Sequence, residues 1–173
     1  MNYAVKAPHL IKPRGRSRFY QTLSANDVDR LSAFYLSLDF DSRRRRFGGG
    51  QSDDAIVAYC RTANWQRSII IARGSNHLLD AVLEIHPLSD SWDRAEITLT
   101  CPLECDRSFI FAELFQLAAL TAGERGCTQF VMCINDGCYE PIDIFGDAGR
   151  KSFDGEDLHF DIRDYTIETG VGR

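Results

Sequence analysis

Ala95-Glu96-Ile97-Thr98-Leu99-Thr100, a break opened by Pro102, the run from Arg107 to Gly123 and, past Gly126, the run from Thr128 to Ile134 decide the fold of this chain. In the first segment Ile97 and Leu99 alternate with Glu96, Thr98 and Thr100, the period of a strand with one packed face and one polar face. In the second, Ile110, Leu114, Leu117 and Thr121 form one helical row, and Phe111, Phe115, Ala118 and Ala122 form the row beside it. Two adjacent apolar rows make a stripe wide enough to lie on a sheet. In the third, Phe130, Met132 and Ile134 share one face and Val131 and Cys133 the other, the mark of a central strand. The three together predict a strand, helix, strand crossover, with its two strands parallel. The helix N-terminus at the end of the first strand is a natural seat for an anion.

The rest of the chain is read against that unit. At 173 residues and 44% hydrophobic, it is long enough to bury a core of its own. Residues 1–17, basic and without periodicity, are expected to form an arm, and residues 18–173 a single domain. No stretch approaches the roughly 18 apolar residues of a membrane span, and the start MNYAVKAPHL has no signal-peptide pattern, so a cytoplasmic protein without membrane contact is expected. The first fifty residues hold ten Lys or Arg against four acids, and the remainder ten against twenty-one. An acidic body with a basic front end suggests an anionic ligand or a self-associating surface, including a homodimer, and argues against general nucleic-acid binding.

Upstream of the crossover, Arg18 to Leu23 reads as a short strand. Ser24 is placed to cap a first helix carrying Val28, Leu31, Phe34, Tyr35 and Leu38. Asp41 or Ser42 caps a second that holds Arg43 to Arg46 and Phe47 and stops at Gly48-Gly49-Gly50. Ser52 caps a third, with Ile56, Val57, Tyr59 and Cys60 inward. Ser68 to Ala72 and Leu78 to His86 form a hairpin around Arg73-Gly74-Ser75-Asn76, a connection longer than the tightest turns. Downstream, Tyr139 to Phe145 suits a short helix, and two strands flank Asp154-Gly155. The fold class is α/β (α+β), with a mixed, mainly antiparallel sheet flanked by helices.

This order resembles that of the GCN5-related N-acetyltransferase (GNAT) superfamily, whose members transfer an acyl group from acyl-coenzyme A to an amine. Leu36-Ser37-Leu38-Asp39-Phe40-Asp41-Ser42-Arg43-Arg44-Arg45-Arg46-Phe47 is similar to a segment common in bacterial members, L-S-x-x-S-x-x-x-R-F. Ala95-Glu96-Ile97 resembles the start of the family's fourth strand, Pro102 its following proline, Asn135 the asparagine after the fifth strand, and Gly149 the glycine closing the last helix. The resemblance spans about residues 18 to 163. It implies acetyl-CoA as cofactor, an amine as acceptor, and a cofactor site around Thr100, Leu103, Arg107, Ser108 and Asn135.

The chain also departs from the family pattern. The pyrophosphate loop, Q/R-x-x-G-x-G/A, falls on Cys105-Asp106-Arg107-Ser108-Phe109-Ile110, and both glycines are replaced. Backbone N–H groups must approach phosphate oxygens closely there, which side chains obstruct. Asp106 can cap the helix itself and repel a diphosphate, with Arg107 a partial offset. The family's tyrosine acid corresponds to Phe145, which has no proton to give.

Glu84 and His86 alternate onto one face of their strand, and Glu96, Thr98 and Thr100 onto one face of the next. Should the two faces coincide, Glu96 or Glu84 can serve as a base acting through water, with His86 as an auxiliary base. Otherwise these are polar positions of a half-solvated sheet. The four consecutive arginines read as a solvated helix face more readily than as a phosphate or acidic-partner site. All six cysteines are expected as thiols, Cys133 shielded in its strand and Cys105 the more reactive. A zinc site from Cys101, Cys105, Cys133 and Cys138 has poor spacing, and no metal is assigned. Two functions stand open: acyl-CoA-dependent N-acyltransfer, or a non-catalytic binding or regulatory module that keeps the fold without the cofactor loop.

Overall fold

The computed structural model describes residues 18–75, 77–133, 151–154 and 157–163. Strand β1 (Arg18–Thr22) leads through a 3-10 turn (Ala25–Asp27) into three helices, α1 (Val28–Ser37), α2 (Phe40–Phe47) and α3 (Asp53–Thr62). There follow β2 (Ile69–Ser75), β3 (Leu78–Pro87), β4 (Arg94–Thr100), α4 (Arg107–Gly123), β5 (Gln129–Cys133), β6 (Lys151–Asp154) and β7 (Asp157–Asp161). The strands form one seven-stranded sheet in the order β1-β2-β3-β4-β5-β7-β6. Its neighbours are antiparallel except β4 and β5, which run parallel because α4 crosses between them. The crossover predicted from residues 95 to 134 is present, and α4 spans the predicted residues.

Each face of the sheet has its own core. Ile69, Ile71, Leu83, Ile85, Ala95, Ile97, Phe130 and Phe160 pack against Ile110, Phe111, Leu114, Phe115 and Ala118 of α4. Phe115 meets Phe130 and Phe160 edge-on, with ring centroids 5.5 and 5.4 Å apart. On the other face Ile70, Ala72 and Val82 are covered by Leu31, Phe34, Tyr35, Leu38, Ile56 and Cys60 of the α1–α3 layer. Alternation along the strands therefore assigns every odd or even position to one helical layer or the other.

The helix starts follow their caps. Ser24 caps the 3-10 turn that leads into α1 rather than α1 itself: its side chain accepts from the Asn26 amide at 3.3 Å while Asp27 reaches back to the Ser24 amide at 3.0 Å. Ser52 accepts from Ala55 N at 3.2 Å, as its position foretold. Asp39, rather than Asp41 or Ser42, caps α2. Its carboxylate accepts both the amide of Ser42 at 2.8 Å and the Ser42 hydroxyl at 2.6 Å, two bonds that neither alternative offers. Gly48 ends α2 at φ 71°, in the left-handed region.

The β2–β3 connection is shorter than expected: Ser75 pairs with Leu78, and the ladder absorbs the extra length as a register shift between Arg73 and Gly74. A Cβ on Gly74 would lie 2.2 Å from the Leu78 carbonyl oxygen and 2.5 Å from the Phe19 ring, so only glycine fits. No described helix is long and apolar enough to cross a membrane. The helix expected at 139–145, and with it Asn135, Phe145 and Gly149, lies outside the described residues.

Candidate active site

The two polar faces coincide. In the β3–β4 ladder Val82 faces Thr100, Glu84 faces Thr98 and His86 faces Glu96, all on the side covered by α1–α3. The structure then separates the two candidate carboxylates by environment.

Glu84 is fully buried. Its Oε1 accepts from the Tyr35 hydroxyl at 2.5 Å, and its Oε2 accepts from the Tyr59 hydroxyl at 2.6 Å, from His86 Nε2 at 3.1 Å and from the Arg46 guanidinium. Burial alone would raise its pKa. The Arg46 charge and the hydrogen bonds from His86, Tyr35 and Tyr59 outweigh it and hold the carboxyl at about 2. A carboxylate so saturated and closed to water is unsuited to accept a proton through a water molecule, which removes Glu84 as the base. Burial and the Glu84 charge push the Tyr35 and Tyr59 hydroxyls up, so both stay protonated donors.

Arg46 comes from the arginine run, and that run divides two and two. Arg44 and Arg45 are exposed, whereas Arg46 turns inward with its guanidinium carbon 5.1 Å from the ring centres of both Phe47 and Tyr59. Arg43 donates Nε to the Leu38 carbonyl at 3.1 Å and pairs with Asp53 at 2.7 Å. A solvated face describes half of the cluster. The other half bolts α2 to the sheet and to α3.

Glu96 is in a different position. The parallel β4–β5 pairing runs through Arg94–Gln129, Ala95–Phe130 and Glu96–Val131 and goes no further, although β4 continues to Thr100 and β5 to Cys133. Glu96 thus stands on the last paired rung, at the crotch of a fork between two strands. It is half-buried, and its carboxylate makes no hydrogen bond or ion pair among the described residues. Thr100, farther along the same prong, is buried, with a hydroxyl oxygen that has no hydrogen-bond partner among the described residues. His86, opposite Glu96, keeps a third of its side chain in solvent and bonds through Nδ1 to the Ser68 hydroxyl at 2.9 Å. Ser68 is a residue the sequence reading passed over. Its one signal was its place two residues before Ile70, on the same strand face.

Beyond the fork lies the start of α4. Asp106 caps it, accepting from the Phe109 amide at 3.0 Å. One of the amides that an anion would use is therefore already engaged. Arg107 is half-buried, its Nη1 3.7 Å from the Cys101 sulfur, and Leu103 and Ser108 are half-buried beside it. Thr100, Leu103, Arg107 and Ser108 thus lie on one segment at the mouth of the fork.

The cysteine expectations need correction. Cys133 is exposed, since it falls at the very end of β5, past the last β4 partner. Cys105 is half-buried, and burial followed by the charge of Glu104 pushes its thiol up. Among the described residues no group of three or more His, Cys, Asp or Glu side chains is arranged to hold a metal.

No protein-family model matches the sequence, and no curated protein matches it. Solved structures do. The GNAT domain of S. lividans PAT superposes with a TM-score of 0.64 at 17% identity, over 82% of this chain and 87% of that one. The chain adopts the GCN5-related N-acetyltransferase fold. An N-acetyltransferase from Staphylococcus aureus Mu50 superposes with a TM-score of 0.61 at 14% identity over 85% of this chain and 99% of that one. A Thermoplasma acidophilum PaiA N-acetyltransferase in complex with coenzyme A matches at 0.55 and 15% identity, covering 83% of this chain and 97% of that one. Identities this low establish the GNAT fold, and the chemistry has to be argued from the residues.

Proposed function

We propose that this protein is an acyl-CoA-dependent N-acyltransferase in which Glu96 is the base that removes the proton from the attacking amine. The observation that carries the proposal is the fork: a half-buried carboxylate with no partner among the described residues stands where the parallel strands β4 and β5 stop pairing. A carboxylate without competing donors keeps its lone pairs for an ammonium or for a bridging water. Backbone groups of β4 left unpaired beyond Glu96 are suited to hold an extended arm as a further strand would be held. The coenzyme, when bound, supplies an acyl thioester.

Thr100 and Leu103 suit contact with such an arm, and Arg107 and Ser108 suit its diphosphate, with Asp106 working against them. The grip at the start of α4 is then weaker than a glycine-rich loop would give. His86, tied to Glu84 and Ser68, is not needed as a second base for this reaction.

The test is a steady-state assay of acetyl-CoA with a panel of polyamines, amino acids and lysine peptides. Thioester consumption that depends on an amine and is lost in Glu96→Gln supports the reading. Amine-dependent turnover at the parent rate in Glu96→Gln would remove Glu96 from it, and the absence of both binding and turnover would leave the fold as a binding module.

A further inference from the structure

On the β2–β3 side of the sheet, away from the open end of the fork, Ser68, Asn64, Arg67, His86, Leu88 and Asp90 line an open cleft of about 520 Å³, with His86 facing Glu96 across the β3–β4 ladder. From its wall inward three side chains form a continuous chain: Ser68 Oγ, largely buried at the cleft floor, lies 2.9 Å from His86 Nδ1, and His86 Nε2 lies 3.1 Å from Oε2 of the fully buried Glu84 behind it. We propose that this is a nucleophile, base and carboxylate relay, and that the cleft takes an activated acyl group, an ester or thioester, onto the Ser68 hydroxyl.

The chemistry follows from which atom must carry each proton. Glu84 is ionised and buried, so it accepts from His86 and fixes the imidazole proton on Nε2. That leaves the Nδ1 lone pair facing Ser68, whose hydroxyl then donates to it. A serine hydrogen-bonded to a base, which is itself oriented by a buried carboxylate, is the arrangement that activates a hydroxyl for acyl transfer. Which ring nitrogen serves which partner does not alter the logic, because the two roles are set by the hydrogen bonds.

The surroundings support an acyl group rather than a purely structural contact. Glu84 is itself anchored by Arg46, Tyr35 and Tyr59, so the imidazole is oriented by a partner that cannot swing away. The His86 ring keeps a third of its surface open toward the cleft. Asn64 accepts from the Arg67 amide through Oδ1 at 3.1 Å, which leaves its side-chain NH2 on the cleft wall as a donor for a carbonyl oxygen. Leu88, half exposed, offers an apolar surface to a short acyl chain.

The reaction balances with water as co-reactant. Ser68 Oγ bonds to the acyl carbon as its proton passes to His86 Nδ1. The bond to the alcohol or thiol leaving group breaks, and that group leaves with the proton from His86. Water then cleaves the acyl-Ser68 ester, giving the carboxylic acid and restoring the hydroxyl. None of these steps involves the fork or Glu96, so the acyltransferase reading and this one stand or fall separately.

The experiment uses the full chain, a biotinylated fluorophosphonate as the probe of an activated serine, and peptide mapping by mass spectrometry. A single adduct on Ser68 is expected, absent in Ser68→Ala. In His86→Asn, whose amide can retain a hydrogen bond to Ser68 but cannot act as the base, labelling should slow by roughly a hundredfold or more. The parent protein gives a second readout that needs no variant: unfolding it in urea should abolish the labelling, because activation depends on the folded contact between Ser68 and His86. Hydrolysis of p-nitrophenyl acetate should fall in Ser68→Ala and in His86→Asn alike. No adduct on Ser68, or an adduct that forms equally fast in folded His86→Asn, would overturn the proposal.

Discussion

Arg46 and Glu84, thirty-eight residues apart in sequence, meet beneath α2 as an ion pair whose carboxylate is fully buried. The pair ties the helical layer to the middle of the sheet. Breaking a buried pair strands the remaining charge, at a cost of about 3 to 5 kcal/mol. Arg46→Met alone should therefore destabilise the protein by that order in chemical denaturation. Adding Glu84→Gln should restore part of the loss rather than double it, because the stranded carboxylate is then gone. Strict additivity of the two losses would contradict the pairing.

The same carboxylate makes stability depend on acid. Glu84 sits at about 2 in the folded protein against an ordinary 4.5. A depressed group contributes fully above its unfolded value, and the contribution is lost as pH falls through the folded one. Asp27, Asp39 and Asp93 are lowered too, and act in the same direction. Denaturation midpoints should thus be level from neutrality down to about pH 4.5 and fall steeply toward pH 2. In Glu84→Gln the curve should be lower at pH 7 and flatter below 4.5.

Glu96 should behave in the opposite way. It has no partner to lose, so Glu96→Gln should change stability by less than about 0.5 kcal/mol while lowering amine acetylation by roughly a hundredfold or more. Matched melting curves and rate assays check both halves of the statement. A variant as active as the parent would exclude the base role.

How far the sequence could be read follows from which contacts are local. The β4–α4–β5 crossover was legible because its periodicities lie within single elements, and the Ser24 and Ser52 caps because a cap acts over three residues. Alternation also put Glu84 with His86 and Glu96 with Thr98. It could not say what covers that face, and the cover decides everything: Tyr35, Arg46 and Tyr59 arrive from helices twenty-five or more residues upstream. Arg46 was hidden among three other arginines, and only its place beside Phe47 hinted that it turns inward. Ser68 was read only as the start of a strand, because a single serine at the head of an apolar run carries no signal of what it faces.

Thiol chemistry checks the end of β5. Cys133 is exposed while Cys60, Cys101 and Cys127 are buried, and burial raises the thiols of Cys60 and Cys127. Timed alkylation under native conditions should label Cys133 before Cys105 and both before the three buried thiols. Early labelling of Cys127 would mean that the turn after α4 does not pack as described.

Asp106 governs the mouth of the fork. Replacing it with glycine frees the Phe109 amide and removes a like charge from the start of α4, at only a small cost in capping. Affinity for coenzyme A should rise by about twofold to thirtyfold in Asp106→Gly. Unchanged or weaker binding by the folded variant would discard this account of the loop.

The most direct measurement is calorimetric titration of acetyl-CoA into the protein, run beside desulfo-coenzyme A. The account predicts saturable one-site binding of both, with the nucleotide-bearing arm recognised whether or not the acyl thioester is present. Absence of binding by the parent and by Asp106→Gly alike would contradict it, and the fork between β4 and β5 would then have to serve something other than an acyl carrier.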